Sequence, residues 1–213
     1  MSVMSAVVLS FDVGTRNLAV CKVVVHPGDT YTVLHWDVMD VLEGVCSDSK
    51  KLGIPETAQH MIDTLQRNEI LLLQDPAPTT ILIEQQPGGK FVNVGMKALS
   101  HVLQTFLYMK TNNTPIHFVS PRRKLREAKS HDKDVSQKKR YSSNKQFAKD
   151  AVLELLGAKV TNSEEALIIF NSRTKKDDLA DSLLQAVAFC TAPPAKKRRT
   201  TPTISETSGT TKK

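Results

Sequence analysis

The run Ala6-Val7-Val8-Leu9-Ser10-Phe11, ended by Asp12, constrains this chain more than any other stretch. Its apolar residues do not alternate with polar ones, so it reads as a strand buried on both faces. Such a strand needs a packed layer on each side of its sheet. Two more strand patterns follow. Leu18 to Val25 is valine-rich and comes after a break at Gly14, and Tyr31 to Val38 alternates polar and apolar residues. His26-Pro27-Gly28-Asp29 between them is turn chemistry. The three segments read as an antiparallel meander.

Beyond the meander the pattern alternates. Ala58, Met61, Ile62 and Leu65 recur at helical spacing after Pro55-Glu56, and Pro76 and Pro78 break the chain. Thr80-Ile81-Leu82-Ile83-Glu84 is a β-branched strand, and Pro87-Gly88-Gly89 a loop. Asn93 is placed to cap a helix whose apolar stripe is Leu99, Val102, Leu103 and Phe106. Pro115 to Val119 reads as a short strand. Residues 122–143 are polar and basic and read as an exposed or mobile loop. Ser143 with Gln146 resembles a capping box. It opens a helix whose buried face is Phe147, Ala151, Val152 and Leu155 and which Gly157 closes. A last helix runs from about Lys176 to Cys190, stopped by Pro193-Pro194. The expected fold class is α/β: a mixed five-stranded sheet, the antiparallel meander followed by βαβα, with helices on both faces. Residues 1–191 form one domain, with 122–143 as its basic loop. Residues 192–213 form a basic Ser/Thr/Pro tail, too poor in apolar surface to offset its ordering entropy and therefore expected to be disordered.

The 213 residues carry a net charge of +7, unevenly spread. Residues 122–149 hold 11 basic and 3 acidic side chains, residues 196–213 hold 6 and 1, and the remainder holds 12 and 18. An acidic body with two basic extensions suits a protein that collects divalent cations and holds a polyanion beside them. No stretch is apolar enough for the ~20 residues of a membrane span. No positive residue precedes Arg16, which argues against a secretory signal. Cys21, Cys46 and Cys190 are odd in number and widely spaced, which fits a reducing compartment, and the scattered histidines offer no zinc spacing.

Four acids sit where acids are costly. Asp12 and Glu84 each end an apolar strand, and Asp178 and Asp181 lie three residues apart on the last helix, on neighbouring positions of one face. If the first strand lies beside the fourth and the last helix crosses their ends, all four converge. Such a cluster repels itself unless cations neutralise it. Carboxylate oxygens without His or Cys suit Mg²⁺ or Mn²⁺. Two such ions roughly 4 Å apart clamp both oxygens of a phosphodiester displacement. Taken singly, each acid has an ordinary explanation: Asp12 as a turn cap, Glu84 as an arginine partner, Asp178 as a charge at a helix N-terminus. Three segments placing acids at the edge of one core is harder to explain that way. Asp177 is the neighbouring alternative to Asp178, and the three-residue step to Asp181 favours Asp178.

These segments, Asp12-Val13-Gly14-Thr15-Arg16-Asn17-Leu18-Ala19, Ile83-Glu84-Gln85-Gln86 and Asp177-Asp178-Leu179-Ala180-Asp181-Ser182-Leu183-Leu184, resemble the three acidic motifs of RuvC-type Holliday-junction resolvases. The likeness is greatest to the branch found in poxviruses, iridoviruses and fungal mitochondria, and it spans roughly residues 5–191. It implies an RNase H-like fold, a homodimer, and paired nicks at four-way DNA junctions. It also implies a catalytic and metal-holding set of Asp12, Glu84, Asp178 and Asp181, with two Mg²⁺ or Mn²⁺ ions per site. Gln85-Gln86 and the helix from Asn93 to Lys110 correspond to a region that in the family helps build the dimer and approaches the junction. The family often adds a basic residue near the metals, for which Lys145 and Lys176 are both candidates. A large DNA virus is the source this likeness suggests.

Arg122, Arg123 and Lys124 in one segment, Lys138, Lys139 and Arg140 in another, and Lys145 are the candidate DNA-binding residues, supplying phosphate contacts without sequence readout. Tyr141 among them is able to stack on an unpaired base. Lys196-Lys197-Arg198-Arg199 reads equally as a nuclear-import signal or a flexible DNA-binding arm, so the expected location is intracellular, nuclear or cytoplasmic, with no membrane. Three rivals stand beside the resolvase reading. One is a nuclease for flaps or RNA–DNA hybrids, and another a non-catalytic DNA-binding protein. The third is a sugar-kinase or actin-like phosphotransferase, suggested by Asp12-Val13-Gly14-Thr15 but lacking a second Gly-rich phosphate loop.

Overall fold

The computed structural model describes residues 6–45, 52–74, 76–86, 88, 93–121 and 137–191, leaving aside the side chains of 137–144. Strands β1 (Ala6–Val13), β2 (Asn17–His26), β3 (Thr30–Asp40), β4 (Thr80–Glu84) and β5 (Ile116–Val119) form one sheet in the order β3-β2-β1-β4-β5. Six helices accompany it among the described residues: α1 (Ile54–Arg67), α2 (Glu69–Leu73), α3 (Val94–Lys110), α4 (Gln137–Lys159), α5 (Ser163–Ser172) and α6 (Lys176–Cys190). The meander is antiparallel, while β4 joins β1, and β5 joins β4, in parallel. This is the mixed five-stranded sheet the sequence predicts.

β1 is central and its two sets of alternate residues feed two cores. Leu9, Phe11 and Val13 pack with Ile81, Ile83, Met61, Leu65, Leu99 and Leu103 under α1 and α3. Val8 packs on the opposite face with Leu82, Cys21, Val23 and the residues of α4, α5 and α6. Asn93 caps α3 as expected, its side chain accepting from the Met96 N–H at 3.1 Å. Lys22 is the exception in β2: it is buried, and its Nζ donates to the carbonyls of Leu71 and Gln74 at 3.0 and 2.6 Å. A cation there satisfies carbonyls left over at the C-terminus of α2.

Several local expectations fail. The segment read as a loop to residue 143 is helical from Gln137, so Lys138, Lys139 and Arg140 lie in the first turns of α4 and Ser143-Gln146 is no cap. Its polar, Gly-free and Pro-free composition serves a solvated helix as well as a loop. Gly157 does not close α4, which runs on to Lys159. The buried face is Ala148, Val152 and Leu156, whereas Phe147 is 39% exposed. The small Ala148 lets α4 sit against α6, where a phenylalanine would hold it off. Helices α2 and α5 were not anticipated. Residues 122–136, and with them Arg122, Arg123 and Lys124, lie outside the described residues, as does the segment 192–213 with Lys196 to Arg199. Among the described residues no helix is long and apolar enough to cross a membrane.

Candidate active site

Sheet polarity gathers the site. β1 and β4 are parallel, so their carboxyl ends coincide, and Phe11 pairs with Ile83. The next residues along, Asp12 and Glu84, therefore lie side by side at the carboxyl ends of adjacent strands. Phe11 and Ile83 belong to the core under α1 and α3, so alternation turns Asp12 and Glu84 to the other face, where α6 lies. β2 is antiparallel to β1, which brings its first residue, Asn17, to the same end.

A tight turn joins the two strands. The Gly14 N–H donates to the Asn17 carbonyl at 2.9 Å, and a Cβ on Gly14 would stand 2.7 Å from that oxygen. Only glycine permits this approach. The turn aims the Asn17 amide at α6, where its Nδ2 donates to Asp178 Oδ2 at 3.3 Å. Arg16 in the same turn pairs with Asp40 at the end of β3 at 2.5 Å.

Helix α6 is held over the sheet by buried polar contacts. Gln185 Nε2 donates to Ser10 Oγ and to the Phe11 carbonyl, each at 3.1 Å. Trp36 Nε1 donates to the Leu179 carbonyl at 2.9 Å, and its ring stacks on Phe170 of α5 at 5.5 Å. Asp178, Asp181 and Gln185 fall at positions i, i+3 and i+7, which is one helix face. The glutamine that touches β1 therefore sets the helix face on which both aspartates lie, and Asp178 on that face feels the charge of Asp12.

Burial holds the Asp178 carboxyl above the ordinary carboxylate range, and the charges of Asp177 and Asp12 push it further up. Lys175 and the Asn17 amide pull against this. Asp177 goes the other way. Burial alone would raise it, but the Lys145 hydrogen bond, its own backbone N–H and the charges of Lys145 and Lys149 carry it below the ordinary range. Lys145 Nζ meets Asp177 Oδ2 at 2.5 Å. Lys176 turns elsewhere, to Asn171 Oδ1 at 3.1 Å and over the Phe170 ring. Of the two lysine candidates, Lys145 is the one at the acidic end.

Asp178 thus feels both Asp177 and Asp12, strand register sets Glu84 beside Asp12, and Asp181 lies one turn along α6. Among the described residues no three acidic, His or Cys side chains are drawn together tightly enough to form a finished metal cluster. The chemistry of the donors nonetheless fits a hard divalent cation: the acids are oxygen donors without sulfur or imidazole, and Asp178 is crowded by like charge that a cation relieves. Gln85 is exposed just after Glu84, with its N–H on the Val119 carbonyl. Two positioning residues, Asn17 and Gln185, were not singled out from sequence. A glutamine inside the apolar stripe of the last helix was the available signal for Gln185. Asn17 carried none, because its partner is 161 residues away.

The comparisons with known proteins bear on this arrangement. No protein-family model and no curated protein matches the chain. Among solved structures, that of the yeast mitochondrial Holliday junction resolvase Ydc2 matches with a TM-score of 0.58 at 22% identity, covering 86% of this chain and 78% of that one. The chain has the RuvC-type resolvase fold. Thermus thermophilus RuvC matches with a TM-score of 0.52 at 14% identity, over 86% of this chain and 93% of that one. The RuvC-type fold is RNase H-like, and in this chain Asp12 and Glu84 stand at the carboxyl ends of β1 and β4, a position that open α/β sheets commonly use for ligands.

Proposed function

We propose that this protein is a divalent-metal-dependent, structure-selective endonuclease that resolves four-way DNA junctions by paired nicks. The observation that carries the reading is that Asp178 on α6, held by Asn17 at the start of β2, lies within electrostatic reach of Asp12 on β1, beside a lysine from the basic helix α4. Asp12, Glu84, Asp178 and Asp181 are the residues that would hold Mg²⁺ or Mn²⁺, two ions per site. Bound there, the ions supply charge compensation at the scissile phosphate and lower the pKa of an attacking water. The chain's own groups do the rest. Asn17 orients Asp178, Gln185 fixes the face of α6 that carries both aspartates, and the Lys145 ammonium offers a cation to a phosphate oxygen. Lys138, Lys139 and Arg140 add phosphate contacts that hold the backbone without reading sequence, and the basic residues at 122–124 extend that role. Paired nicks call for two sites. The apolar groove between α1 and α3, lined by Ile62, Ala98, Val102, Phe106 and the exposed Met109, is the surface we assign to a second copy.

A panel of a synthetic four-way junction, a flap, a linear duplex and an RNA–DNA hybrid in Mg²⁺ tests the reading. The junction is expected to be cut at symmetric positions on opposing strands, and the linear duplex to survive. Preferential cutting of the hybrid would replace the resolvase reading with that of a hybrid nuclease.

The Gly14 turn gives a second expectation. Gly14→Ala must push the Asn17 carbonyl away, which moves the amide off Asp178. Loss of such a supporting contact typically costs about 10- to 100-fold in activity. Single-turnover cleavage of the junction reads the effect, and a Gly14→Ala variant cutting at the wild-type rate would remove the turn from the mechanism.

A further inference from the structure

Asp177 and Asp178 are consecutive residues in the first turn of α6, yet they face different elements. Asp178 receives the Asn17 amide and feels Asp12 across the end of the sheet. Asp177 receives Lys145 from α4. Lys149, one helical turn beyond Lys145 on the same face of α4, adds its charge at Asp177. The two side chains of the pair are 41% and 21% exposed, so the pair contributes little to folding. What it does restrict is the lysine, whose long stem otherwise samples many rotamers.

We propose that Asp177 is a positioning residue: its carboxylate holds the Lys145 ammonium at the acidic end of the sheet and ties basic helix α4 to the helix that carries Asp178 and Asp181. The two adjacent aspartates thereby divide the work. Asp178 belongs to the acidic group formed with Asp12, and Asp177 sets the cation beside it. Because α4 opens with Lys138, Lys139 and Arg140, the same pair joins the helix that grips DNA backbone to the helix at the reaction centre. The inference rests on the nuclease reading.

The test is a double-mutant cycle on the full chain: wild type, Asp177→Asn, Lys145→Met and the double variant. Single-turnover cleavage of a four-way junction in Mg²⁺ is measured together with junction affinity and melting temperature. Asp177→Asn is expected to slow cleavage about tenfold, the scale of losing an outer-sphere contact, with junction affinity changed less than about twofold and the melting temperature unmoved. In the Lys145→Met background the Asp177→Asn change is expected to cost nothing further, since its effect passes through the lysine. Asp177→Glu is expected to recover most of the rate. Independent, multiplying losses would overturn the positioning role, as would a wild-type rate for Asp177→Asn or a loss that follows melting temperature. A wild-type chain that cuts no junction overturns the nuclease reading and this proposal with it.

Discussion

Asp12→Asn is expected to abolish nicking of a synthetic four-way junction in Mg²⁺, by a factor on the order of 10³ or more, while leaving junction binding largely intact. The scale is that of removing one preorganised electrostatic group from a reaction centre. The physical case starts from placement. Asp12 is the penultimate residue of β1 and follows the buried run Val7 to Phe11, and it shares its end of the sheet with Glu84 and the first turn of α6. Asparagine keeps the shape and the strand but removes the negative charge that a divalent cation needs. It also removes one of the like charges that raise Asp178, so the Asp178 carboxyl should move back toward its ordinary range. The basic residues proposed to grip the junction are untouched. Gel-shift affinity and single-turnover cleavage, measured on the same preparation, separate the two effects. Cleavage retained by Asp12→Asn would sink the assignment of this end of the sheet as the active centre.

Trp36→Ala should bring the largest loss of stability. Trp36 is the chain's single tryptophan and is 2% exposed. It joins three elements: its ring stacks on Phe170 of α5, its indole N–H donates to the Leu179 carbonyl of α6, and its backbone lies in β3. Truncating a buried tryptophan to alanine costs about 3–5 kcal/mol, and each kcal/mol moves the melting temperature of a chain this size by about 2–4 °C. A fall on the order of 10 °C in a circular-dichroism melt is the expected result. Trp36→Phe keeps an aromatic ring but leaves the Leu179 carbonyl without its donor, and should fall between the two. A Trp36→Ala variant melting within about 2 °C of wild type would show that the first turn of α6 is held by its other contacts.

Much of the site was legible because acids at the ends of apolar strands are anomalous in their local surroundings. Asp12 and Glu84 stand out by the residues just before them, and Asp178 and Asp181 by their spacing on a helix with a long apolar face. The stretch 137–143 reads as a loop although its backbone is helical, because composition does not separate a solvated helix from a loop when no apolar stripe marks a face. The shift of the buried face of α4 from Phe147 to Ala148 has a similar origin: both residues are apolar, and the closeness of α6 decides between them. Gly157 was read as a stop from its intrinsic preference, which the context of α4 overrides.

By itself the sequence determined the strands, the meander, the four acids and the uneven spread of charge, because each depends on neighbours along the chain or on simple periodicity. The tertiary structure decided which groups meet. Parallel pairing of β1 with β4 sets Asp12 beside Glu84, although they are far apart in sequence. The rotation of α6, fixed by Gln185 on Ser10 and by Trp36 on Leu179, gives Asp178 to Asn17 and Asp177 to Lys145. That arrangement also sends Lys145 to Asp177 and Lys176 to Asn171, a difference that the sequence leaves open. Contacts of this kind follow from strand register and helix orientation, which long-range packing sets and local pattern does not encode.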